Sequence, residues 1–168
     1  MSKIHGRLVR ALVFAVATAC ALSAVANAGS TTTTFTSQIT IAAACAINSA
    51  SSLNFGTQGV LAANVDQTST IQVVCTNTTP FTIGLDAGTG TGATVAARKL
   101  TSGGNTVNYA LYSDAAHTAI WGNTVSTDTV AGTGAGSAQS FTVYGRVPPQ
   151  AAPAPGNYSD TITVTVMY

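Results

Sequence analysis

Asn157-Tyr-Ser-Asp-Thr-Ile-Thr-Val-Thr-Val-Met-Tyr168 decides the fold class. From Asp160 onward the residues separate onto two faces. Ile162, Val164, Val166 and Tyr168 point one way, and Thr161, Thr163, Thr165 and Met167 the other. Side chains on a strand alternate faces, so the stretch reads as a half-buried β-strand built from β-branched residues. Gly156 and the proline-rich run before it give the strand a sharp start. The alternation is still running at Tyr168, which leaves open what pairs with the strand's other edge.

The rest of the chain supports the same class. Its 168 residues suffice for one domain with a sizeable core. Glutamate is absent, lysine and leucine are few, and Thr, Ser, Val, Gly and Asn are abundant. Helix formers other than alanine are therefore too scarce for long surface helices. A further strand spans Ile39–Ile47, and Leu53, Phe55 and Leu61 are core anchors in a loop over residues 49–64. Thr70–Cys75 follows with Ile71, Val73 and Cys75 on one face, and then Phe81, Ile83 and Leu85 after the turn at Thr78-Thr-Pro80. Later strands cover Val107–Tyr112 and Ser140–Val147, with a short excursion between them that ends on Trp121. Pro148, Pro149, Pro153 and Pro155 form an extended connection that cannot donate to a ladder and belongs at an edge. Short strands with turn signals between them and no helical period predict an all-β sandwich.

At the other end, Lys3, Arg7 and Arg10 precede an apolar run, Ala11–Val25, that closes on Ala26-Asn27-Ala28. That is the pattern of a secretory leader cleaved between Ala28 and Gly29. The competing readings are a membrane anchor and a lipid-attached Cys20. The run is short for a bilayer span and has no basic flank after it. Ala17 stands where a lipid-attachment motif usually has leucine. Without the leader, Arg98, Lys99 and Arg146 face Asp66, Asp86, Asp114, Asp128 and Asp160, a net charge of −2. So weak a charge offers no footprint for nucleic acid and no polybasic membrane patch. Two cysteines remain, Cys45 and Cys75, and an even pair in an exported protein reads as a disulfide. Both share inward parity on neighbouring strands. Closing that loop is worth roughly 3–4 kcal/mol by chain entropy.

Residues 29–38 form a threonine-rich arm with one aromatic, Phe35. The parity of Ile39, Ile41, Ala43, Cys45 and Ile47 extends back through Ser37 and Phe35 to Thr33 and Thr31, a longer alternation than one domain strand needs.

No catalytic constellation stands out. His117, the one histidine after the leader, reads as a surface loop residue without a nucleophile to serve. The aspartates are scattered singly, and no Cys/His/carboxylate group has metal-ligand spacing. Gly88, Gly90 and Gly92 lack the following helix and the lysine of a phosphate cradle, so they read as a hairpin tip. The expectation is no catalytic site, no metal and no cofactor.

Tyr109-Ala-Leu-Tyr-Ser-Asp114, Ala119-Ile-Trp-Gly122, Val143-Tyr-Gly-Arg-Val-Pro148 and Pro155-Gly-Asn-Tyr-Ser-Asp-Thr-Ile-Thr-Val-Thr-Val166 resemble the spore coat protein U domain family, which includes major pilins of archaic chaperone–usher pili. The resemblance covers essentially all of the chain after the leader. It implies an incomplete immunoglobulin-like β-sandwich that lacks its last strand and is completed by a donor strand from another subunit. On that reading residues 1–28 are the signal peptide, 29–41 the donor arm and 42–168 the domain. The arm presents Phe35, Ser37, Ile39 and Ile41, and the acceptor groove lies along Ile162, Val164, Val166 and Tyr168. The implied partners are identical subunits in a head-to-tail fibre, with a periplasmic chaperone and an outer-membrane usher during export. The implied place is a cell-surface pilus reached through the periplasm, without membrane insertion. The same domain would also suit a secreted coat or matrix protein. A tip adhesin or carbohydrate-binding module fits less well, since no second domain has room here.

Overall fold

A computed structural model describes residues 28–168. The leader assigned to residues 1–28 lies, but for Ala28, outside the described residues, and so does Cys20. The chain divides into two units, residues 1–39 and 40–168. Of the first, residues 28–39 carry neither helix nor strand and are exposed throughout.

The second unit is built from eight strands: β1 (Cys45–Ala50), β2 (Val65–Cys75), β3 (Pro80–Leu85), β4 (Arg98–Ser102), β5 (Asn105–Tyr112), β6 (Val130–Thr133), β7 (Ala138–Val147) and β8 (Val164–Met167). They form two antiparallel sheets, one in the order β1-β2-β7-β5-β4 and one in the order β6-β3-β8. The inner faces follow the sequence alternation. Ile71, Val73 and Cys75 of β2, Phe81, Ile83 and Leu85 of β3, Val107, Tyr109 and Leu111 of β5, and Val143 and Val147 of β7 make one buried cluster. At roughly 1.5–3 kcal/mol for each fully buried large side chain, this cluster is the principal stabilising term. Cys45 lies opposite Cys75 in the β1–β2 register and is bonded to it.

Several elements depart from the sequence expectation. Strand β2 starts at Val65 rather than Thr70, pairing with β7 from Val65 opposite Val147 to Val74 opposite Ala138. Its first half is polar and solvent-facing, so the apolar alternation that marks strands is absent there. β4 and β6 were not expected as strands. The four residues of β6 include a glycine whose missing side chain leaves room for the Phe81 ring. The first strand is shifted in the other direction: pairing begins at Cys45, not Ile39, and Ile47 stays 41 % exposed. Nothing among the described residues covers that apolar face.

His117 is also corrected. Its side chain is only 9 % exposed, held edge-on between Tyr112 and Tyr144 with Nε2 3.8 Å from Asp66. The two tyrosines stand on neighbouring strands, a register that a single loop motif does not display. Trp121 is fully buried, its indole N–H donating to the Ile83 carbonyl at 2.8 Å.

Candidate functional site

The last segment changes sheets along its length. At Ser159 it bridges β4, with Thr101 N donating to Ser159 O at 2.8 Å and Ser159 N to Thr101 O at 3.1 Å. Four residues later Thr163 N donates to the Asp86 carboxylate at 2.9 Å, and from Val164 the chain pairs with β3 in the opposite sheet. Asp160 pins the crossing. Its carboxylate accepts from Thr89 N at 2.8 Å, Thr89 Oγ1 at 2.9 Å, Thr161 N at 2.8 Å and the Tyr109 hydroxyl at 2.8 Å. Burial, with this hydrogen bond to Asp160, pushes the Tyr109 phenol well above its ordinary range, so it stays a donor. The crossing explains why β8 is four residues long although the alternation covers twice that. Burial alternates from Thr161 to Val166 and stops at half-buried Met167 and exposed Tyr168, and only residues 164–167 lie alongside β3.

Strand β8 is one of the two edge strands of its sheet, and β1 is one of the two edge strands of the other. The two approach each other along one side of the sandwich without pairing. Between residues 50–55 and 160–164 lies an open slot of about 350 Å³. Its floor is the core itself: Ile71, Leu85, Leu111 and Val143 all line it. Ile162, Val164 and Val166 are half-buried against that core. Tyr168 continues their parity but is 64 % exposed and stands outside the slot. Among the described residues, β8 has no partner on its second edge. An unpaired apolar edge beside an open core is a template for another strand.

The arm residues are the converse. Phe35 is 92 % exposed, Ile39 82 % and Ile41 70 %, and Ser37 is exposed with them. The attachment of the domain's first strand begins just beyond. Ala42 O accepts from Thr76 Oγ1 at 3.1 Å, and Ala44 N donates to the same hydroxyl at 3.2 Å. Cleavage between Ala28 and Gly29 has no structural counterpart here.

Sequence reasoning found the β8 face but missed the floor and the Asp160 clasp. Floor residues sit on four different strands, and only the fold brings them together. The clasp had a weak signal in Tyr158-Ser-Asp160, since a lone aspartate at a strand start commonly accepts nearby main-chain N–H groups.

Two antiparallel sheets packed face to face, with edge strands left open on one side, define an immunoglobulin-like β-sandwich. The family model for the spore coat protein U domain matches residues 31–165, and the chain belongs to that family. Among solved structures, a chain of the CsuC–CsuE chaperone–tip adhesion subunit pre-assembly complex from archaic chaperone–usher Csu pili of Acinetobacter baumannii has a similar fold. The TM-score is 0.57 at 19 % identity, over 77 % of this chain. The match spans 41 % of that chain's length. A search of curated proteins returned no match.

Proposed function

We propose that this protein is a structural subunit of an extracellular pilus that polymerises by donor-strand exchange. The arm over residues 29–41 of one copy enters the slot beside β8 of the next. The observation that carries the reading is one chain bearing both halves of such a contact. It has an unpaired apolar strand edge over an open core, and an exposed arm with apolar residues at alternate positions.

Strand addition supplies main-chain hydrogen bonds to the free edge, and alternate side chains fill the groove. Burying Phe35, Ile39 and Ile41 contributes roughly 1.5–3 kcal/mol each before ordering costs. The contact is head-to-tail and need not close, which generates a fibre rather than a ring. Before assembly the open edge requires cover, which is the role of a periplasmic chaperone, and an outer-membrane usher passes subunits to the surface. Family membership and the likeness to a chaperone–usher pilus complex support this route. A surface fibre of such subunits would serve attachment and biofilm formation.

Electron microscopy of shear-released surface material, probed with antibody to this chain, tests the reading. Thin filaments carrying the antibody are expected. An amorphous shell would instead assign the protein to a secreted coat or matrix.

A further inference from the structure

The stretch between β1 and β2 carries no strand, yet it sends two side chains into the open interior. Leu53 and Phe55 both line the 350 Å³ slot beside β8. Both also line a second space of about 740 Å³, bounded by Val107, Val147 and the proline-rich connection. They cross the inner face at Gly145, where a methyl group would collide with Leu53 and press on Phe55. The Phe55 ring meets Tyr109 edge-on at 6.0 Å. Leu53 and Phe55 therefore stand as a partition between two parts of one groove.

The partition is lightly tied. Ser51 N donates to Thr70 O at 2.9 Å, and the next outside main-chain bond is Gln150 N to Leu61 O at 2.9 Å. Between those points the hydrogen bonds are internal, from Gly56 N to Asn54 Oδ1 and from Gln58 Nε2 to Phe55 O. The two apolar side chains can leave without breaking any ladder. Their spacing also matters, because Leu53-Asn-Phe55 repeats the step of Ile39-Thr-Ile41 in the arm.

We propose that Leu53 and Phe55 are an internal plug. In the free subunit they hold the seats over Gly145, and the arm of a second copy takes those seats by displacing them. The inference rests on the donor-strand reading above. Until displacement, the plug shields part of the core; afterwards the two spaces merge into one channel beside β8.

Fluorine NMR on the chain beginning at Gly29, labelled with fluorophenylalanine, tests this, with the Phe55 signal assigned through Phe55→Leu. The probe is a synthetic peptide of residues 29–41. On saturation the Phe55 signal is expected to lose the shift caused by Tyr109 and become sensitive to solvent isotope, while the Phe81 signal is not. The variant Leu53→Ala/Phe55→Ala is expected to take up the peptide about tenfold faster or more, because the competing burial is gone. Peptide bound with Phe55 still seated, or a double variant that binds more slowly, overturns the plug and leaves the donor-strand reading standing. A peptide that does not bind overturns both. If the double variant does not fold, the fluorine signal of the unaltered sequence decides alone.

Discussion

Arg98 is fully buried, and its guanidinium donates to four main-chain oxygens: Asp86 at 2.8 Å, Val95 at 2.8 Å, Leu85 at 3.0 Å and Trp121 at 2.7 Å. It fastens the excursion around Trp121 to the end of β3 and to the start of β4. Lysine carries the same charge but not the planar fork. Arg98→Lys is accordingly expected to cost about 1–3 kcal/mol, read as a lower urea midpoint at unchanged slope. A change within about 0.5 kcal/mol would contradict the assignment. Carboxylates set the pH response. The hydrogen bond and charge of Arg146, at 2.6 Å to both Asp66 oxygens, hold Asp66 below its ordinary 3.8. Burial raises Asp86, but hydrogen bonds from Thr163 and Gly88 outweigh it and leave Asp86 below 3.8 as well. Depressed folded values mean that the stability these groups add is complete above the unfolded pKa and is lost as pH falls through the lower folded ones. The melting temperature is therefore expected to be level from about pH 5 to 8 and to fall below about pH 4. A level profile down to pH 2, or a loss beginning near pH 6, would be inconsistent with these pairings. No sequence signal marked Arg98 as buried, because a lone arginine before a lysine looks like a solvated strand end.

Strands with strong alternation were legible from sequence, and those without it were not. β3, β5 and β7 lie where Phe81, Ile83 and Leu85, then Val107 to Tyr112, then Phe141 and Val143 placed them. β6 and the first half of β2 were hidden because their partners, not their own composition, make them strands. The β8 face was legible, but its change of sheet was not, since Asp160 and Asp86 reach main-chain groups supplied by distant segments. At the other edge, β1 is exposed along most of its length and is tied to β2 by the Cys45–Cys75 bond. The exported protein is expected to begin at Gly29 and to be two hydrogens lighter than its reduced form, as intact mass without reductant measures. A species beginning at a lipid-modified Cys20, or one with two free thiols, would overturn this. Cys45→Ser/Cys75→Ser is expected to lose roughly 3–4 kcal/mol of stability by the chain-entropy account, with β1 and the groove wall it forms loosened first.

As a whole molecule, the domain is a sandwich whose strand β8 has one unpaired edge among the described residues, and the same sequence carries an exposed segment with Phe35, Ile39 and Ile41. The most direct measurement joins the two ends. A copy of residues 29–41 is appended to Tyr168 through a short flexible linker, and the native arm is deleted. An intramolecular strand acts at an effective concentration in the millimolar range, so it outcompetes neighbouring molecules. The fusion is expected to be a monomer that melts cooperatively at a higher temperature than the chain without a donor, and that does not polymerise. Changing Phe35 and Ile39 to Asp in the appended copy places two charges in apolar seats, at a cost of several kcal/mol, and is expected to abolish the gain. The measurement is the melting temperature of the two fusions side by side. A large gap between them is the predicted result; equal melting temperatures would mean that the arm does not fill the groove.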